Sequence, residues 1–425
     1  MNNFHKTQFE NGLRLVSVPI KNSESLTCLI LVGTGSKYET KDVKGMSHFL
    51  EHMFFKGTQK RPDTLTISEV LDSVGGQYNA FTSKEMTGYW AKVDKKHIDT
   101  ALDWISDIFL HSKFESEEIE KEKGVVIEEL NMYLDMPTVH VEELFEELLY
   151  GDQPAGWRIV GDKETIQAYN REKLMQYFES HYSSKNVVVC IAGDIELKEI
   201  EEKTKKYFGA IRTADVLDKA KVKERQQKPE ILLHEKKTDQ THFCLGVRTY
   251  DLFDKRRYAL KLLAVMLGGN MSSRLFINVR EKNGLAYSIH TSADASTDTG
   301  YLVTQAGIDG KNLEKSIQLI LKEYKDFKDH KVSQKELQKA KDYLRGSTAL
   351  SLESSDSQAS FYALQELLEG EIMTPAEKMK KIDEVTPEDI QAVAQDIFKS
   401  EKLNLSFIGP FDDTTKKQLD KILTI

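Results

Sequence analysis

The sequence of 425 residues has only three cysteines, no long apolar segment and no excess of positive charge. Cys28, Cys190 and Cys244 lie far apart in apolar runs, which predicts buried hydrophobic residues and excludes a disulfide framework or a cysteine zinc cluster. No run approaches the about 18 apolar residues that a membrane-spanning helix needs, so we expect no membrane partner. The net charge of −9 argues against nucleic acid as the main partner.

The first residues also lack the features of a targeting segment. The stretch MNNFHKTQFENG has no apolar signal-peptide core, and it is not the arginine-rich, acid-poor amphipathic helix of a transit peptide. We therefore expect a cytoplasmic protein. The composition, 40% hydrophobic and 30% charged residues, indicates a globular chain that is long enough for two or three domains.

The most informative segment is GMSHFLEHMFFKG at 45–57, which is predicted to form a helix that ends at Gly57. At helical spacing its apolar residues form one stripe, and His48, Glu51 and His52 fall on the opposite face. Two histidines four residues apart can give one metal ion two nitrogen ligands, which zinc favours. The glutamate between them is then placed to act on a water at that metal, and H-x-x-E-H is the inverted zinc-protease motif. A motif this short can also occur by chance on the solvated face of a core helix.

A helix predicted from Ser116 to just before Pro137 offers a third metal ligand. Glu122 and Glu129 are seven residues apart, so they share one face of this helix within about 20°. The segment is rich in acidic residues, and a charged helix face is usually only solvated. Helix phase alone therefore does not separate Glu129 from Glu128 as the ligand.

The second half of the sequence repeats the first. The segment TGYWAKVDKKHIDTALDWI is similar to TGYLVTQAGIDGKNLEKSI, and SLTCLILVGT is similar to QTHFCLGVRT. At the same offset, the positions that correspond to the metal face hold apolar residues: Leu260, Leu263 and Ala264. A repeat with so long a period indicates two duplicated domains, of which only the first keeps the metal face.

A linker separates the two halves. Residues 212–230 have few apolar residues and no periodicity, which is typical of a connecting segment. We therefore predict a catalytic, zinc-bearing domain over 1–211 and a homologous domain without a zinc site over 231–425.

Three segments together resemble a known family: GMSHFLEHMFFKGT at 45–58, EKEKGVVIEELNMY at 120–133 and GGNMSSRLFINVREKNGLAYS at 268–288. The chain resembles the pitrilysin-type, or inverzincin, zinc metallopeptidases. It is most similar to their short branch, which includes mitochondrial processing peptidase and its bacterial homologues. The resemblance implies an α+β, sandwich-like fold of two homologous domains in a clam-shell arrangement. Each domain would be a mainly antiparallel sheet with helices packed on it.

The resemblance also implies roles for individual residues. The ligands of one zinc ion per chain would be His48, His52 and Glu129. Of two catalytic carboxylates, Glu51 would be the general base and Glu122 would support the third ligand. Residues of the second domain that contact the substrate would be Arg280 and Tyr287. The edge strand that pairs with the peptide would contain Asn79, Ala80, Phe81 and Thr82.

The implied function is that of a zinc endopeptidase that hydrolyses unfolded or flexible peptides. One chain has half of the four domains that enclose the family's chamber, so we expect a homodimer. Two alternatives remain open, a non-catalytic scaffold subunit and one partner of an obligate heteromeric processing peptidase. Scaffold relatives usually have a broken metal motif. In hetero-pairs the second chain usually supplies the arginine and tyrosine, which are both present here.

Overall fold

Two separate β-sheets organise the computed structural model, which describes residues 4–425. The first sheet contains six strands: β1 (His5–Gln8), β2 (Arg14–Pro19), β3 (Ser25–Val32), β4 (Gln77–Thr82), β5 (Thr87–Asp94) and β6 (Val187–Gly193). The second sheet contains five strands: β7 (Glu230–Glu235), β8 (Thr241–Thr249), β9 (Ala286–Ala295), β10 (Gly300–Ile308) and β11 (Leu403–Gly409).

The described residues also form fifteen α-helices. Eight precede the second sheet: α1 (Met46–Met53), α2 (Thr64–Asp72), α3 (Ile98–His111), α4 (Ser116–Asp135), α5 (Pro137–Tyr150), α6 (Lys163–Gln167), α7 (Arg171–His181) and α8 (Leu197–Phe208). Seven follow its first strands: α9 (Arg257–Gly268), α10 (Leu313–Asp329), α11 (Gln334–Ser351), α12 (Ser355–Leu368), α13 (Pro375–Asp383), α14 (Pro387–Ile397) and α15 (Asp413–Ile422). None of the described helices is both long and apolar enough to cross a membrane.

The two sheets have the same topology. Their strand orders are β1-β2-β6-β3-β5-β4 and β7-β11-β8-β10-β9, and apart from β1 these orders match when the strands are paired in chain order. Each sheet has one parallel pair, β2 with β6 and β7 with β11, and its other neighbouring strands are antiparallel. The predicted α+β fold of two similar, mainly antiparallel halves is therefore confirmed. The three cysteines are free and buried, as predicted.

The two compact units of the chain interleave along the sequence. The first comprises the described chain up to residue 131 together with 158–220 and 348–374, and the second comprises the rest. The domains predicted over 1–211 and 231–425 differ from these units at two segments. Residues 132–157 belong to the second unit, and residues 348–374 belong to the first. The segment predicted as a linker has no helix or strand before β7 begins.

A helix from the second half of the sequence completes the core of the first unit. On α12, Ala359, Tyr362 and Ala363 pack in one apolar cluster with residues of β2, β3 and β6, among them Val16 and Leu29. Amphipathic patterning identifies such a helix but not the sheet on which it packs, which explains the difference from the predicted domains. Without α12 this apolar sheet face would be exposed to water, at a cost of roughly 25 cal/mol per Å².

We therefore predict that the fragment 1–211 does not fold stably by itself. It should show no cooperative thermal transition by circular dichroism, whereas the full chain should unfold cooperatively. Adding a peptide that spans residues 348–374 should restore part of the transition, and a scrambled peptide of the same composition should not. A cooperative, native-like melt of the fragment alone would contradict this prediction.

Candidate metal centre

The histidine motif lies on α1, a helix of eight residues. The apolar residues of the motif are completely buried, which confirms the predicted stripe: Met46, Phe49, Leu50, Met53 and Phe54. The helix was expected to continue to Gly57, but it ends at Met53. The reason is a tightened last turn, because the N–H groups of Phe55 and Lys56 bond to carbonyls only three residues back.

A buried carboxylate fixes the start of α1. Glu39 accepts hydrogen bonds from the backbone N–H groups of Gly45, at 2.7 Å, and Ser47, at 2.8 Å. These donors would otherwise remain unsatisfied at the first turn of the helix. Burial raises the pKa of Glu39 to about 7, although the two backbone hydrogen bonds act to lower it. Gly45 has φ of +87°, and a Cβ there would lie 2.2 Å from the carbonyl oxygen of Val160.

The structure brings His48, His52 and Glu129 together. Oε2 of Glu129 lies 3.6 Å from Nε2 of His48 and 3.4 Å from Nε2 of His52. Each residue offers one ligand atom within 4.8 Å of the other two. In a tetrahedral zinc site with bonds of about 2.0–2.1 Å, two ligand atoms are about 3.3 Å apart. The three residues therefore fit a single metal ion and leave a fourth position open.

Helix α4 places Glu129, and not Glu128, at the two imidazoles. It spans Ser116–Asp135, close to the predicted bounds. Glu128 is exposed, and its Oε1 lies 3.5 Å from the side-chain amide nitrogen of Asn131. The structure thus places Glu129 beside the imidazoles and Glu128 away from them, and the role of Glu129 as the third ligand stays a prediction.

Glu122 contacts a histidine and a lysine at once. Its Oε1 lies 2.8 Å from Nδ1 of His52, and its Oε2 lies 2.5 Å from Nζ of Lys56. Burial acts to raise the pKa of Glu122, but the contacts with His52 and Lys56 outweigh it and lower the pKa overall. Burial likewise opposes the protonation of His52, yet its contacts with Glu122 and Glu129 raise the pKa of His52 to about 9. A bound metal would replace this proton, since a ligating imidazole is neutral.

Sequence reasoning did not identify Lys56 as part of the site. The signal that could have found it is its spacing, because Lys56 follows His48 and His52 at the same four-residue interval. Glu122 was expected to support Glu129, but in the structure it contacts His52 and Lys56.

Glu51, on the same helix, is held by a threonine hydroxyl. Thr82 of β4 donates a hydrogen bond to its Oε2 at 2.6 Å. Burial raises the pKa of Glu51, and the Thr82 hydrogen bond and the charges of His48 and His52 oppose this rise. A carboxylate with a raised pKa is suited to take and return a proton.

Strand β4 is the edge of the first sheet. It pairs with β5 on one side, and no described strand pairs with its other side. An edge strand offers free N–H and C=O groups to which an extended peptide can add. The strand contains the four residues predicted to pair with substrate: Asn79, Ala80, Phe81 and Thr82. Their role in substrate binding stays a prediction.

Known proteins resemble the chain over nearly its whole length. The family model described as Insulinase (Peptidase family M16) matches residues 14–163, and the one described as Peptidase M16 inactive domain matches residues 168–344. The chain is 38% identical over 405 residues to "Uncharacterized zinc protease YmxG" of Bacillus subtilis, covering 94% of this chain and 97% of that protein. The chain belongs to peptidase family M16. The predicted pitrilysin-type resemblance is thereby confirmed.

The chain is also similar to a further curated relative and to two solved structures. An uncharacterized zinc protease of Streptomyces coelicolor is 33% identical over 420 residues, which cover 97% of this chain and 91% of that protein. The crystal structure of a protease from Helicobacter pylori has a TM-score of 0.89 at 24% identity, covering 96% of this chain and 99% of the other. A peptidase M16 inactive domain from Pseudomonas fluorescens has a TM-score of 0.89 at 19% identity, covering 97% and 99%. At these identities the two structures show the fold alone.

The second half of this M16 chain has no metal face. The residues of α9 at the corresponding positions are buried in the core of the second unit: Leu260, Leu263 and Ala264. This agrees with the description of the matching family model as an inactive domain. We therefore expect the second half of the chain to have a role other than metal binding.

Arg280 and Tyr287 lie near each other in the second unit. The guanidinium carbon of Arg280 is 5.6 Å from the centre of the Tyr287 ring. Arg280 lies on a π-helical segment, Phe276–Glu281, and Tyr287 lies on β9 with 76% of its surface exposed. Tyr287 is thus exposed and Arg280 is half-buried, and their contact with a substrate stays a prediction.

Proposed function

We propose that the protein is a zinc endopeptidase that hydrolyses unfolded or flexible peptides. The observation that carries the proposal is the convergence of His48, His52 and Glu129 on one point, with Glu51 on the same helix as the two histidines. Zinc held there would polarise the scissile carbonyl and lower the pKa of a water molecule from its bulk value to about 7.

Residues of this chain carry out the proton transfers and orient the general base and a metal ligand. Glu51 accepts a proton from the attacking water and returns it to the leaving amine. The hydroxyl of Thr82 holds Oε2 of Glu51, so that Oε1 is left for the proton. Glu122 orients the ring of His52 through Nδ1, so that Nε2 would be available to hold the zinc.

The free edge of β4 binds the peptide in an extended conformation. Main-chain hydrogen bonds along this edge place little demand on the substrate sequence. A folded protein does not present such a strand, so unfolded segments are the preferred substrates. We also propose that Arg280 and Tyr287 of the second domain bind the peptide substrate.

We further propose that the enzyme is a cytoplasmic homodimer, because its family encloses substrates with four domains and one chain supplies two. A scaffold subunit would not need a complete set of metal ligands and base, and the heteromeric alternative would need a second chain for residues that this chain contains. Both alternatives predict no hydrolysis by the purified chain.

The proposal is tested on the purified, zinc-loaded chain with a mixed library of unfolded peptides. We expect cleavage that a chelator abolishes and added zinc restores, because the metal site is essential. Cleavage sites are mapped by mass spectrometry, and a stably folded domain is the control substrate, which should be cleaved far more slowly. Light scattering on the same preparation should give the mass of a dimer. A zinc-loaded dimer that cleaves none of the peptides would favour the scaffold alternative.

A further inference from the structure

Lys56 contacts the metal centre through one intermediate side chain. Its Nζ lies 2.5 Å from Oε2 of Glu122, and the other oxygen of Glu122 lies 2.8 Å from Nδ1 of His52. The series therefore runs from a cation to a carboxylate to an imidazole, whose Nε2 faces Glu129 at 3.4 Å. Both oxygens of Glu122 have a partner, and each partner takes a different oxygen.

The carboxylate in the middle of this series is almost completely buried. Only 4% of the Glu122 side chain is exposed, whereas Lys56 is 23% exposed. A buried carboxylate remains charged only when it is paired and hydrogen-bonded. With metal bound, His52 is neutral and donates one hydrogen bond, so it supplies no charge to Glu122. Lys56 is the residue that supplies a positive charge directly to this carboxylate.

The orientation of His52 depends on the charged form of Glu122. A carboxylate that accepts the Nδ1–H proton fixes the tautomer in which Nε2 carries the lone pair for a metal. His48 has no comparable support, because within residues 4–425 its buried Nδ1 has no hydrogen-bond partner. The two imidazoles are thus held differently, since among the described residues only His52 has a carboxylate at its Nδ1.

We propose that Lys56 is a positioning residue of the metal centre. By occupying one oxygen of Glu122 it keeps the other on Nδ1 of His52, and so it holds the imidazole ready for the metal. The inference rests on the proposed assignment of His48, His52 and Glu129 as the metal ligands. An exposed ion pair that only stabilised the fold would contribute little and would not act on metal binding.

The test compares Lys56→Met with Lys56→Arg by their dissociation constants for zinc, measured by competition with a chromophoric chelator. Methionine keeps an apolar stem of similar length and removes the charge, whereas arginine keeps the charge. Loss of an outer partner of a ligand typically weakens metal binding about 10–100-fold. Because Lys56 acts through Glu122, we expect a weakening toward the lower end of this range for Lys56→Met and recovery to within a few fold for Lys56→Arg.

The matched control is Lys60→Met. Lys60 follows Lys56 by one further interval of four residues, and its Nζ pairs with Asp103 at 2.6 Å, away from Glu122. The Lys60→Met variant should therefore bind zinc as tightly as the wild type.

Combining Lys56→Met with Glu122→Gln distinguishes a positioning role from a general effect on stability, because Lys56 acts through Glu122. The double variant should bind zinc no more weakly than Glu122→Gln alone.

Two results would overturn the inference. One is a zinc dissociation constant of Lys56→Met equal to that of the wild type, and the other is full additivity with Glu122→Gln. If Lys56→Met does not fold, Lys56→Gln is measured in the same way with the same expected weakening. A wild-type chain that binds no zinc would instead overturn the proposed function, so the two failures are distinguishable.

Discussion

Glu51→Gln should abolish nearly all peptide hydrolysis and leave the metal in place. The amide has the shape of the carboxylate, and its oxygen can still accept the hydrogen bond that Thr82 donates to Glu51. It cannot accept a proton from water, so the general-base step is lost. Such a step typically contributes about 10²–10⁴-fold to the rate. We expect kcat to fall by at least this factor.

The measurement combines kcat/KM on a fluorogenic peptide with the zinc content per chain. Glu69→Gln is the matched control, since Glu69 is an exposed residue of α2 and should change neither quantity. Loss of zinc together with activity would indicate that Glu51 acts on the metal site itself. Hydrolysis at the wild-type rate would show that another group is the base.

Periodicity was sufficient to predict the elements that carry the site. The apolar stripe of α1 and the acidic face of α4 follow directly from helical spacing, because residues three or four positions apart lie on the same face of a helix. The internal repeat predicted two similar halves, and the common order of the two sheets confirms them. These features are local or repeated, so they can be recognised in a single sequence.

Contacts between elements that are distant in sequence could not be predicted from periodicity. The hydrogen bond from Thr82 to Glu51 joins β4 to α1, and the contact of Glu122 with Lys56 joins α4 to the turn after α1. Neither contact follows from the spacing within one element. The same limitation applies to α12, whose apolar face is evident from the sequence while its place on the first sheet is not. The two contacts and the position of α12 all depend on tertiary packing.

Glu129→Ala should remove the metal, and Glu128→Ala should not. The two residues are adjacent on α4 and both acidic, so they form a matched pair that differs in position alone. Glu129 lies 3.4 Å and 3.6 Å from the imidazole nitrogens of His52 and His48, whereas Glu128 is exposed. Removing a direct ligand leaves only two protein ligands. The loss of zinc affinity should therefore exceed the about 10–100-fold typical of outer partners.

Zinc content after dialysis and the dissociation constant for zinc are measured for both variants, together with kcat/KM. Glu128→Ala should retain about one zinc per chain and the wild-type rate, because its side chain lies in solvent. Glu129→Ala should lose both and should still unfold cooperatively, because the carboxylate of Glu129 lies at the site and not in the apolar core, so that its removal creates no core cavity. Its thermal midpoint should lie slightly below that of the metal-free wild type, since the contact between Glu129 and His52 is lost. Full metal and activity in Glu129→Ala, with loss of both in Glu128→Ala, would reverse the assignment of the third ligand.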